Sequence, residues 1–347
     1  MGNGLYTGEM NLIKNKYSDF SSHLLAWYDG YSCNFPWRDC KDPYKIYLSE
    51  VMLQQTQVST VLPYYQKWIQ KYPTIQSVAN ATQEQILKQW EGLGYYGRAR
   101  NFHQSCKIIL DNMGGIISSN PEEFSKLPGV GPYISAAVMS IAFQHPQPAV
   151  DANAIRIGAR MEMVDLPYPK NLKIISNYFE NHIPIERPGD FNQAIMDLGR
   201  KICSADKPKC RVCPISINCK ALVNNSVDKY PIKVKHPKKP HYNIAAGIIW
   251  NKGQILISKR REKGLLGGLW EFPGGKIEKG ENAQTCIIRE VKEELGVLVQ
   301  PTSFLKQIKH AYTHFSITMD AYHCDYLQGT PQAIGCDNWK WITPEEI

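Results

Sequence analysis

Residues 229–241 read "KYPIKVKHPKKPH", five lysines and three prolines in thirteen positions. Such a stretch cannot be a buried helix or a central strand, because proline removes backbone donors and lysine resists burial. It reads as a stiff basic linker, and the hydrophobic period changes across it. Before it, "FSSHLLAWYDGY", "YKIYLSEVMLQQTQVSTVLPYYQKWIQKY", "ATQEQILKQWEGLG" and "PYISAAVMSIAF" space apolar residues by three and four, the helical period. Glycine and proline punctuate them at "EGLGYYGRAR" and "LPGVGPY". After it, "YNIAAGIIW" and "QILISKRR" read as strands and "NAQTCIIREVKEELG" as a helix. The expected order is a mainly α domain over residues 1–228, the linker 229–241, and a smaller α/β domain over 242–347.

The length of 347 residues fits two such domains, and 43% hydrophobic with 21% charged residues is enough to give each a core. No apolar run approaches the roughly 20 residues that span a bilayer. The first twenty residues, "MGNGLYTGEMNLIKNKYSDF", lack the apolar core of a signal peptide. The expectation is an intracellular, cytoplasmic protein with no membrane partner. A formal net charge of +8 favours a polyanionic partner, since Lys and Arg neutralise phosphates and release counterions.

Four of the ten cysteines crowd into "CSADKPKCRVCPISINC", at Cys203, Cys210, Cys213 and Cys219. In a reducing compartment such clustering reads as a metal site rather than a disulfide framework. Four thiolates so spaced can hold tetrahedral zinc or a [4Fe–4S] cluster, and spacing alone leaves both open. Lys207, Lys209 and Arg211 in the same loop face a phosphate in this reading.

In "LSEVMLQQTQVST" an acid, Glu50, stands inside an apolar run, and Gln54, Gln55 and Thr56 follow it. If residues 44–57 form one helix, its neighbours are Ile46, Tyr47, Leu53 and Gln54, mostly apolar. Desolvation then raises the carboxyl pKa and fits it for general acid work. The plainer alternative is a Glu paired with Arg38. Gln54, Gln55 and Thr56 are uncharged donors and acceptors suited to base edges.

"LPGVGPY" sets Gly129 and Gly131 one residue apart before a proline at a helix start, and it matches the hairpin of helix-hairpin-helix DNA-binding units. Glycines admit a ligand close to the backbone, and the helix start offers N–H groups to a phosphate. Further on, "PAVDANAIR" puts Asp151 at an N-cap, where backbone N–H groups and the helix dipole are expected to lower its pKa. Asp151 as a mere structural cap is the alternative. Together, Glu50 and Asp151 are two carboxyls expected to have diverging pKa values, the arrangement that divides acid and base roles in glycosidic bond cleavage.

These elements, in this order, resemble the helix-hairpin-helix base-excision DNA glycosylases that carry an iron–sulfur cluster, and within them the MutY family of adenine glycosylases. The resemblance runs from about Phe20 to the C-terminus, on "SEVMLQQTQV", "GLGYYGRARN", "LPGVGPY", "VDANAIR", "FNQAIMDLG" and the cysteine spacing. It implies a [4Fe–4S] cluster on the four cysteines and a monomeric, nucleoid-associated enzyme. The implied substrate is double-stranded DNA bearing adenine opposite 8-oxoguanine or guanine. By the same resemblance Glu50 protonates adenine N7, Asp151 stabilises the oxocarbenium-like sugar or bonds to it transiently, and Tyr133 and Asn153 support them. Gln55, Thr56, Leu93 and Tyr95 fill or wedge the duplex, while Trp37, Arg38 and Gln193 line the pocket for the extruded base. Strand-nicking relatives carry a lysine at the turn position where this chain has Tyr133, and a phenol cannot form a Schiff base. Hydrolysis by water, leaving an abasic site, is therefore expected.

The second domain contains a Nudix box: Gly275, Glu281, then "REVKEELGV", with Glu290, Glu293 and Glu294 on one helix face as a possible Mg²⁺ site. In this family the domain generally reads 8-oxoguanine and the box is often degraded. Here the box is intact, so recognition and nucleotide pyrophosphohydrolysis both remain as readings. In "HAYTHFS", Tyr312, Thr313 and His314 stand where the family usually places Phe-Ser-His. Thr keeps the hydroxyl but stiffens its side chain. The closing "WITPEEI" reads as a helix start without its helix, hence as a truncated C-terminus. The alternatives are a pyrimidine-damage glycosylase, disfavoured by Tyr133 and the second domain, and a dead DNA-binding scaffold, disfavoured by the two carboxylates.

Overall fold

Helix α2 (Pro43–Leu53) shows why the chain folds as it does around its acid. Asp42 caps it by accepting from Tyr44 N at 3.0 Å, Pro43 occupies the first turn, and residues 44 and 46–52 are all buried. The structure is a computed structural model that describes residues 19–31, 35–234, 239–262, 264, 266–312 and 314–347. By internal contacts the chain divides into Met1–Lys235 and His236–Ile347.

The first unit is helical: α1 (Asp19–Asp29), α2, α3 (Val58–Lys71), α4 (Ile75–Ala79), α5 (Gln83–Gln89), α6 (Gly97–Asn112), α7 (Pro121–Phe124), α8 (Pro132–Phe143), α9 (Ala152–Glu162), α10 (Leu172–Glu180), α11 (Pro188–Lys201) and α12 (Lys220–Val223). The single helix expected over 44–57 is instead broken after Leu53, and Gln55 takes a left-handed φ of +56°. One core gathers Phe20, Ile157, Phe179, Phe191 and Leu198 with Ile215 and Cys219 of the cysteine loop. Elsewhere Trp68 meets Trp90 edge to face at 5.6 Å. Gly158 lets α9 lie against α10, since a Cβ there would come within 2.7 Å of Ile175.

The basic run begins inside this unit. Tyr230 is buried, donates from its hydroxyl to Asp165 at 2.7 Å, and offers its carbonyl to Arg160. Ile232 packs on the same core. Burial of Tyr230 and the packing of Ile232 tie down residues that lysine and proline content alone assigns to the linker.

The second unit is a mixed sheet in the order β3-β2-β1-β6-β5, with β4 on β1 and β7 on β2. Its strands are β1 (His241–Asn251), β2 (Gln254–Lys259), β3 (Trp270–Glu271), β4 (Gly274–Lys276), β5 (Leu298–Ala311), β6 (Ser316–Gln328) and β7 (Asn338–Ile342). β1 and β6 run parallel and the remaining pairs antiparallel. Helix α13 (Ala283–Leu295) is capped by Asn282, ends at Gly296 in the left-handed region, and buries Ile287, Val291 and Leu295 against the sheet. Thr343 and Glu346 form a capping box around the short 3₁₀ turn Pro344–Glu346. Among the described residues no helix is long and apolar enough to cross a membrane.

Candidate active site

Glu50 is 2% exposed, and its carboxylate accepts the Tyr133 hydroxyl at 2.7 Å. Burial pushes its pKa above the usual carboxylate range; the Tyr133 hydrogen bond and the positive charge of Arg38 pull it back, and Asp151 pushes it up again. Arg38 is not its salt-bridge partner. It pairs with Asp197 at 3.0 Å and donates to Gln193 at 3.0 Å. Gln193 and Arg38 therefore hold each other, while Trp37 is a core residue, stacked on Phe35 and edge-on to Tyr65.

Asp151 caps α9 as expected, accepting from Ala154 N at 2.7 Å and from the Asn153 amide at 2.7 Å. Its pKa nonetheless departs from the expectation. Burial outweighs those bonds and the nearby Arg156 charge, so the carboxyl is raised rather than lowered. The two acids thus shift the same way and differ in their donors. Each feels one arginine charge, Arg38 for Glu50 and Arg156 for Asp151. Glu50 accepts one hydroxyl, whereas Asp151 accepts a side-chain amide and backbone N–H groups, a set that favours the anion. Arg156, which sequence reasoning missed, orients Asn153 at 2.8 Å and also bonds the carbonyls of Gly199 and Cys203. Gly199 permits that approach, since a Cβ there would meet Asn153 at 2.4 Å.

The hairpin needs its glycines for different reasons. Gly129 has φ +76° and abuts Asn101, so its backbone excludes a side chain. Gly131 caps α8 with ordinary φ, and nothing stands within 4 Å of where its Cβ would be. That open ground lies at a helix start, where a ligand phosphate could approach the N–H groups.

Of the expected duplex-filling residues, Gln55 and Tyr95 are exposed and both adopt left-handed φ, +56° and +48°. Gln54 and Thr56 are half-buried. Leu93 is buried and cannot wedge anything with its side chain as placed. A residue the sequence reading passed over, Arg98, reaches both segments.

Cys203, Cys210, Cys213 and Cys219 line one cavity together with Arg160, which donates to the Cys203 sulfur at 3.2 Å. Burial and the neighbouring sulfurs push the Cys210, Cys213 and Cys219 thiols up, Cys213 to about 12. Among the described residues no three Cys, His, Asp or Glu side chains stand at metal-ligand geometry, in this loop or elsewhere.

In the sheet unit, Arg289 gathers the acids of the Nudix box. It meets Glu281 with both Nε and Nη2 at 2.9 Å, Glu290 at 2.9 Å and Glu293 at 3.3 Å. Gly275 sits over the Glu290 carboxylate, which a Cβ would strike at 2.1 Å. Glu294 is pushed to about 7 by burial beside Glu271 and Glu290; Glu271, paired with Arg260, is an acid that the motif reading did not include. In the turn after β5, Tyr312 stacks on Phe315 at 4.7 Å and His314 is exposed, while Thr313 lies outside the described residues.

Residues 48–177 match the HhH-GPD superfamily of base excision DNA repair proteins and residues 245–347 match the NUDIX domain. The adenine DNA glycosylase of Rattus norvegicus is 30% identical, over 94% of this chain and 74% of the relative. That of Buchnera aphidicola subsp. Baizongia pistaciae is 32% identical, over 86% of this chain and 84% of the relative. A solved thermostable thymine-DNA glycosylase is 30% identical with a TM-score of 0.56, covering 61% of this chain and 99% of that one. A buried acid held by a phenol, a capping aspartate beside it and a hairpin before α8, on a chain similar over nearly its whole length to such relatives, place it in the adenine DNA glycosylase family.

Proposed function

We propose that the enzyme hydrolyses the N-glycosidic bond of adenine standing opposite 8-oxoguanine or guanine in duplex DNA and leaves an abasic site. The observation that carries this is the Tyr133–Glu50 hydrogen bond, which holds a buried carboxyl at raised pKa in electrostatic reach of Asp151. Protonated Glu50 gives its proton to adenine N7 as the C1′–N9 bond breaks and its electron pair leaves with the base. The Asp151 anion, held by Asn153 and Ala154, faces the positive sugar. Water then adds to C1′ and returns a proton to Glu50. Tyr133 aligns the acid and offers no amine to the sugar, so strand cleavage through a Schiff base is not part of the reaction. Thymine release, the activity in the name of the solved neighbour, is less favoured: that protein accounts for 61% of this chain, the rat adenine relative for 94%.

The four cysteines suit a [4Fe–4S] cluster. They line one cavity, burial and neighbouring sulfurs raise the Cys210, Cys213 and Cys219 thiols, and a bound cationic centre would hold the four as thiolates. The cluster would fix the loop's shape, with no part in bond cleavage. For the sheet unit we propose recognition of 8-oxoguanine by the turn at Tyr312, Thr313 and His314, the molecule acting as a monomer. If the Glu271, Glu290 and Glu294 group instead loads Mg²⁺, nucleotide pyrophosphohydrolysis would show it.

A duplex with adenine opposite 8-oxoguanine, incubated without Mg²⁺, tests the main reading. Adenine should be released by the wild type and not by Glu50→Gln. Borohydride should trap no covalent complex, and trapping through a lysine near Tyr133 would overturn the hydrolytic route.

A further inference from the structure

Arg98, at the start of α6, is a partly buried cation with no carboxylate partner among the described residues. Its Nη1 donates to the carbonyls of Val51, Met52 and Gln54 at 3.0, 2.8 and 2.6 Å. Its Nη2 donates to the Thr56 hydroxyl at 3.1 Å and to the carbonyls of Leu93 and Gly94 at 3.3 and 3.1 Å. The guanidinium also lies over the rings of Trp90 and Tyr95, at 5.3 and 5.4 Å. The first group of acceptors is the open end of the Glu50 helix, whose last carbonyls have no partner within the helix. Of the second, Thr56 belongs to the turn after that helix, and Leu93 and Gly94 to the loop that displays Tyr95.

Each of these segments carries a residue in the left-handed region, Gln55 and Tyr95, and each side chain is exposed. A non-glycine residue held there is strained and persists only when its surroundings fix it. A planar fork reaching six acceptors is such a fixture, and a lysine is not, because it presents three donors from one point. Burial without a counter-charge lowers the Arg98 pKa to about 10, so the group is charged at neutral pH but held by dipoles alone.

We infer that Arg98 is a positioning residue that fastens the 54–56 turn and the 93–95 loop into one preformed, two-pronged element, which opens the duplex for extrusion of the target base. The inference rests on the base-excision reading proposed above. Unstacking a base costs a few kcal/mol, and probes already in place do not pay for their own ordering at that moment.

The test pairs Arg98→Lys with two substrates and one spectroscopic probe. 2-Aminopurine in place of the target adenine reports unstacking by its fluorescence, measured in a Glu50→Gln background. Arg98→Lys should lose most of that rise and slow single-turnover release from a mispaired duplex tenfold or more. Release of an adenine already unstacked, opposite a gap, should slow by less than threefold. Equal losses on both substrates would mean general damage and overturn the inference, as would unchanged extrusion. If Arg98→Lys does not fold, the wild type still decides. Its Arg98 guanidinium N–H signals should exchange slowly with solvent before DNA is added, and fast exchange would overturn preorganisation. A wild type that neither unstacks 2-aminopurine nor releases adenine would instead refute the base-excision reading itself.

Discussion

In the helical unit Glu50 and Asp151 are met by a phenol, an amide and backbone N–H groups; in the sheet unit Glu281, Glu290 and Glu293 are met by a single guanidinium, that of Arg289. Neutral hydrogen-bond partners leave burial to raise the pKa of each acid. A bidentate arginine does the opposite, and Glu281 is held at about 2. Glu294, which Arg289 does not reach, rises to about 7 in the same cluster through burial and the charges of Glu271 and Glu290. A direct arginine bond holds a carboxyl low, and where it is missing burial and neighbouring acids leave the carboxyl raised.

The largest effect that could break this contrast is in activity. Glu50→Gln should cut single-turnover adenine release by 10²–10⁴-fold or more, the usual worth of a positioned general acid. Binding to product duplex should stay within a fewfold. Substitution of Glu290 by Gln, in the arginine-held group, should change release less than threefold. Comparable losses from both would erase the distinction.

The pH profile sharpens it. Glu50 must be protonated, so release should fall as pH rises through its raised pKa. Asp151 must be ionised, so release should fall as pH drops through its own, also raised, value. The expected single-turnover profile is a bell whose acid limb lies above the ordinary aspartate range near 4. An acid limb below that range would mean that the cap bonds, not burial, govern Asp151. Chelation of divalent ions should alter release less than twofold at any pH, since neither carboxyl acts through a metal in the proposed route.

Much of this site was legible in the sequence. Glu50 stood out because the acid in an apolar run is followed at once by the amides and hydroxyl of Gln54, Gln55 and Thr56, and Asp151 was readable as a cap because that signal is local. What the sequence hid was set by distant residues. The helix ends at Leu53 partly because Arg98, 44 positions after Gln54 and 42 after Thr56, takes up its terminal carbonyls. Asp151 is raised because burial in the folded chain excludes water from it, which no N-cap pattern records. Leu93 and Tyr95 look equally apt as wedges in "EGLGYYG", but only the fold buries one and exposes the other. The boundary of the basic run was likewise blurred, because Tyr230 is a core residue and Ile232 packs against the core in a stretch whose composition is that of a linker.

The smallest expected effect is on stability, and its sign follows from linkage. Burial raises the Glu50 pKa above its unfolded value, so between the two values the native state binds more protons than the unfolded state. Stability therefore falls as pH rises through that window, and the loss is complete above the folded pKa. Glutamine keeps the acceptor for Tyr133 without a charge to desolvate. Glu50→Gln should thus be more stable than the wild type at pH 8 by about 1 kcal/mol, a typical gain when an active-site group is removed. Below the unfolded pKa, near pH 4, both forms are neutral and the advantage should vanish. Urea unfolding followed by helical circular dichroism at the two pH values measures the difference. A mutant less stable at pH 8 would mean that Arg38 and Tyr133 stabilise the anion more than burial penalises it. The acid would then be ionised at rest, and the contrast between the two groups of carboxylates would collapse to one of geometry.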